Sequence, residues 1–123
     1  QAFREALKLA NGEAAAEAQY YIALLKYQFV DLTYAEKETF KLINTYGSYD
    51  YWVVRGFILL ADIYAGQENY FQARQTLQSI IDNASDEGLI NIAQQKLEEL
   101  EADKVSDIND VNPLDSTKLI HGD

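Results

Sequence analysis

Apolar residues recur at steps of three and four along the first hundred or so residues, and no alternation of apolar and polar positions runs long enough for a sheet. That pattern predicts helices and no strands. Six are expected, over 1–10, 13–29, 33–46, 51–65, 70–83 and 86–103. Asn11-Gly12 reads as a stop between the first two, because glycine readily ends a helix. Asp31 and Asn69 stand where N-caps are needed, each offering a side-chain oxygen to an orphan backbone N–H. Thr33 to Glu36 also fits a capping box, which would start that helix two residues after Asp31. In the last helix Leu89, Ala93, Leu97 and Leu100 form the stripe to be buried. Asp86 and Glu87 complement its dipole. Gln94, Gln95, Glu98, Glu99 and Glu101 make its other face polar, as the end of a helical stack requires. From 104 to 123 the stripe is lost, and the run at 107–113 is rich in turn formers. This segment is expected to be an extended acidic tail.

A longer-range pattern overlies the helical one. From Leu60 through Ala61, Tyr64, Tyr70, Ala73 and Leu77 to Ile80 the steps are 1, 3, 6, 3, 4 and 3. Ala23, Asp31 and Ala35 lie 38 residues before Ala61, Asn69 and Ala73, and Ile22, Leu32 and Leu42 lie 38 before Leu60, Tyr70 and Ile80. This earlier copy is looser, with Lys26 and Thr39 at apolar places. Phe3, Ala6 and Asn11 are spaced like the end of a third copy. Such order and spacing resemble the tetratricopeptide repeat (TPR) family, whose period is about 34 residues; extra residues at 44–50, around Gly47 and Ser48, account for the longer step. The departures are Phe57 where the family prefers Trp, Glu68 where it prefers Gly, and Ser85 where it often has Pro. The resemblance covers about residues 1–101 and is nearest to the C-terminal repeats of Gram-negative bacterial TPR proteins.

The fold implied is all-α, an αα-hairpin solenoid. It comprises a half-repeat at 1–12, repeats at 13–47 and 48–85, a capping helix at 86–103 and the extended tail at 104–123. A start inside a repeat, with Gln1 and not Met, is expected of a processed chain or fragment.

Composition narrows the partners. Apolar residues make up 48% of the 123, which suits a folded domain. Twenty Asp and Glu against 10 Lys and Arg give a net charge of −10. With the basic residues scattered, nucleic acid and anionic membrane are poor partners, and a basic or basic-flanked apolar segment is a better one. There is no Cys, so disulfide and thiolate chemistry are excluded. No run of 18 apolar residues exists to cross a bilayer.

Candidate chemistry is sparse. His121 is the only histidine, and Asp115 and Asp123 near it have no fixed frame for a metal. Asp107, Asn109 and Asp110 begin like a calcium loop, but Val111 stands where a further oxygen ligand belongs. Asn83-Ala84-Ser85 matches a glycosylation sequon. The many carboxylates, Asp62 among them, read as solvated faces rather than as an acid–base pair. Phe57, Tyr64, Tyr70 and Phe71 are assigned to the core, while Tyr20, Tyr27, Tyr49, Tyr51 and Trp52 are less constrained.

The resemblance implies a protein–protein interaction scaffold, not an enzyme, with no cofactor. Its partner segment would lie in a concave groove lined by the first helix of each repeat. On this chain those positions are Glu17, Tyr20, Leu24, Tyr27 and Gln28, then Arg55, Ile58 and Asp62, then Asn91 and Gln94. The resemblance also suggests a longer protein of the periplasm or cell envelope. Two other readings stand beside it. One is a homo-oligomer stacking through an open N-terminal face at Phe3, Leu7 and Ala10; the other is an accessory domain of an enzyme whose catalytic part lies elsewhere.

Overall fold

A computed structural model describes residues 2–103, apart from the side chains of Phe3, Leu7 and Leu9. The expectations for the tail, His121 and the acidic run after Asp103 lie outside the described residues. Among those described there is no strand, and five helices pack against their neighbours. They are α1 (Ala2–Phe29), α2 (Leu32–Thr45), α3 (Asp50–Gly66), α4 (Tyr70–Asn83) and α5, residues 87–103.

Short connections make successive helices antiparallel. Gln19 of α1 reaches Glu38 of α2, and Lys26 lies over the Tyr34 ring. The caps follow from local chemistry. Asp31 accepts the amide of Tyr34 at 2.6 Å, so α2 starts from Asp31 and not from the capping box at Thr33. Asn69 accepts from Gln72, and Asp86 accepts from Leu89 at 3.0 Å. Before Asn69 the backbone turns through Glu68 at φ 63, the left-handed region where glycine is usual.

The expected stop at Asn11-Gly12 is absent. α1 runs unbroken through it, so two of the six expected helices are one. Glycine inside a helix costs only about 1 kcal/mol relative to alanine. Here it also has a packing reason, since a Cβ at Gly12 would collide with the Tyr49 hydroxyl. Gly56 serves likewise at the α2–α3 crossing, where a Cβ would lie 2.8 Å from a Leu42 methyl.

Two apolar cores result. One joins Ala16, Tyr20, Ala23, Ala35 and Leu42 to Leu59 and Ile63 of α3. The other joins Ile58 and Ala61 of the same helix to Leu77, Ile80, Leu89 and Ala93. The small residues at Ala23, Ala35, Ala61 and Ala73 are all buried. Thr39, at an apolar place in the sequence pattern, is fully buried and gives its hydroxyl to the Ala35 carbonyl at 2.7 Å. Tyr70 and Phe71, assigned to the core, are instead exposed. Phe71 points away from the stripe of Ala73, Leu77 and Ile80, whereas Tyr70 continues that stripe but stands at the first residue of α4, where the helix begins.

Candidate functional site

The described side chains place α1, α3 and α5 along one face. Contacts cross it at near-constant sequence separation. Tyr20 meets Arg55, 35 residues on, and Asp62 meets Lys96, 34 residues on.

Arg55 is the centre of the first group. Its guanidinium donates to the hydroxyls of Tyr51 at 2.9 Å and Tyr20 at 3.3 Å. Its central carbon lies 4.7 Å from the Tyr20 ring centroid and 5.6 Å from that of Trp52, within reach of cation–π attraction. Trp52 in turn packs against Tyr20, Tyr51 and Tyr21 at 5.7, 5.0 and 6.2 Å between centroids. Local structure makes this possible. Tyr51, Trp52 and Arg55 share the first turns of α3, with Tyr51 and Arg55 four residues apart on one side. Burial alone would lower the Arg55 pKa, but the hydrogen bonds to Tyr20 and Tyr51 raise it further, so the charge is fixed.

The second group is Tyr27, Asp62 and Lys96. The Lys96 ammonium donates to both Asp62 carboxylate oxygens, at 3.2 and 3.0 Å. Burial nevertheless holds the Asp62 carboxyl above the usual carboxylate range; the Lys96 charge and hydrogen bond pull it back, and Glu99 pushes it up again. The Tyr27 hydroxyl is raised by burial, then by the Asp62 charge, while Lys96 lowers it, and the side chain packs against the first core.

The ten residues read from the sequence as a groove therefore divide. Tyr20 and Arg55 are brought together by a hydrogen bond, and Tyr27 is half-buried against the first core, within reach of the Asp62 charge. Ile58 is not part of it: it is buried in the second core. Tyr20 is also mostly buried, presenting its hydroxyl and ring to Arg55 rather than to solvent. Leu24 is half-buried against the first core, and Glu17, Gln28, Asn91 and Gln94 are exposed. Asp62, read as solvated, is a half-buried ion pair.

Tyr21 and Lys96 escaped the sequence reading. Tyr21 lies just outside the buried stripe of α1, and only its closeness to Tyr20 hinted at a role. Lys96 is a single cation amid the acidic positions of α5, which is itself a signal for a partner.

A separate open groove of about 410 Å³ runs between α3 and α4, with Val53, Val54, Phe57 and Ile80 on its apolar side and Asp50 and Asn83 at one end. No group of three His, Asp or Glu able to hold a metal exists among the described residues. No helix among them is long and apolar enough to cross a membrane.

No protein-family model matches the chain, and no curated protein and no solved structure matches it.

Proposed function

We propose that the chain is a protein–protein interaction module of TPR-like helical repeats, holding a partner segment against the face of α1, α3 and α5. The observation that carries this is the aromatic group around Arg55. It presents the exposed edges of Tyr21 and Tyr51 beside a fixed positive charge. Tyrosine offers contact area with a polar tip, and such residues with arginine dominate binding hot spots. The Tyr20–Arg55 and Asp62–Lys96 contacts join α1 to α3 and α3 to α5, the first helices of successive hairpins on this reading. Glu68 supplies further support, since its left-handed backbone falls where TPR sequences prefer glycine. On this reading the chain has a non-enzymatic role within a longer, envelope-associated protein.

The test compares the parent chain with the double variant Tyr21→Ala, Tyr51→Ala as baits, identifying retained proteins by mass spectrometry. Both side chains are exposed, so circular dichroism should be unchanged. A partner held by the parent and lost by the variant supports the face. Equal retention by both moves recognition elsewhere.

A further inference from the structure

α1 is apolar on two opposite sides. One side, with Ala16, Tyr20 and Ala23, is buried against the rest of the fold. The other carries Ala14, Ala18, Ile22, Leu25 and Phe29, all exposed, with Leu25 at 53% and Phe29 at 76%. At 3.6 residues per turn these five fall within an arc of about 80°, on the side away from the core. An apolar stripe on a helix is ordinarily turned onto a packed neighbour, and the outer stripe of α1 has none among the described residues.

The order of sizes along this stripe says what covers it. The small residues, Ala14 and Ala18, come first, and the large ones, Leu25 and Phe29, come last. Set antiparallel on a second copy of itself, the stripe places Ala14 opposite Phe29, Ala18 opposite Leu25, and Tyr21 opposite Ile22. Each large side chain then meets a small one, the arrangement by which facing layers interdigitate. A parallel pair would put Phe29 against Phe29 and alanine against alanine, leaving a bulge and a gap. We propose that two copies of this chain associate in antiparallel fashion through the outer stripe of α1. A C2 contact of this kind is self-complementary and closed, so it yields dimers and not filaments. About four turns of one helix bury less than the 1,200–2,000 Å² of stable specific complexes, so the dimer forms reversibly with concentration. This interface adjoins the face around Arg55 at Tyr21, which packs on Trp52 at one side and stands at the edge of the stripe at the other.

Sedimentation equilibrium over a wide concentration range tests it. The average mass should climb from 14.0 kDa towards twice that value. Leu25→Glu, at an exposed position, should keep its circular dichroism and weaken the dimer at least about tenfold. The chain has no cysteine of its own, so register can be read directly. Under mild oxidation Ile22→Cys should cross-link to itself, and Ala14→Cys should cross-link to Phe29→Cys in a mixture but not to itself. A chain that stays monomeric throughout overturns the proposal. So does a dimer indifferent to Leu25→Glu, or one in which Ala14→Cys links to itself.

Discussion

At the residue scale, Glu68 carries a conformational burden at an exposed turn. Its φ of 63 costs an L residue about 1–2 kcal/mol relative to right-handed backbone. Glycine would escape that penalty, though it gains about 0.4–1 kcal/mol of freedom in the unfolded chain. Glu68→Gly should therefore raise stability by up to about 1 kcal/mol. A urea midpoint that falls would show that the side chain makes a compensating contact. Asp62 illustrates a second conflict, between charge pairing and burial. Its raised pKa means that the protonated form favours the fold. Its contribution is complete below the unfolded carboxylate pKa and is lost as pH rises through the folded value. Asp62→Asn removes this loss. The variant should be at least as stable as the parent at pH 7, and its advantage should shrink as pH falls through the carboxylate range. A variant markedly weaker at pH 7 would mean that the Lys96 pair outweighs desolvation.

At the scale of elements, close crossings are set by small residues. Ala61 and Ala73 are almost wholly buried, in α3 and α4 respectively. Replacing either with Leu should cost about 1–3 kcal/mol through overpacking, read as a lowered denaturation midpoint with little change in helical signal before the transition. These crossings were legible in the sequence because alanine recurs at fixed distance from capping residues. So were α2, α3, α4 and α5, whose ends fall within a residue or so of expectation, since Asp31, Asn69 and Asp86 act locally. What could not be read were decisions made by distant neighbours. Gly12 looks like a stop until Tyr49 arrives against it from the start of α3. Ile58 sits among groove positions by spacing, yet α4 and α5 close over it. For the candidate site, the pairing of Tyr20 with Arg55 was within reach of periodicity. Lys96 was not, because it stands on the polar outer face of α5, and only the packing of α5 against α3 brings it to Asp62.

For the molecule as a whole, α3 is the shared member. Leu59 and Ile63 belong to one core, and Ile58 and Ala61 to the other. Neither core survives without it, so both should melt in a single transition. Hydrogen exchange should be slowest for amides at 58–63, which require global opening. Two resolved thermal transitions would mean that the cores fold separately. The same helix carries Trp52, the one tryptophan of the chain, packed edge-on or tilted against three tyrosines and beside the Arg55 cation. That neighbourhood is an optical one as well as a mechanical one. Tyrosines 5.0–6.2 Å from an indole pass their excitation to it, so the ultraviolet emission of the chain collects at a single point on the proposed partner-binding face. Anything that settles on Tyr21 or Tyr51 changes the colour or yield of that light, and the protein carries its own unlabelled titration signal.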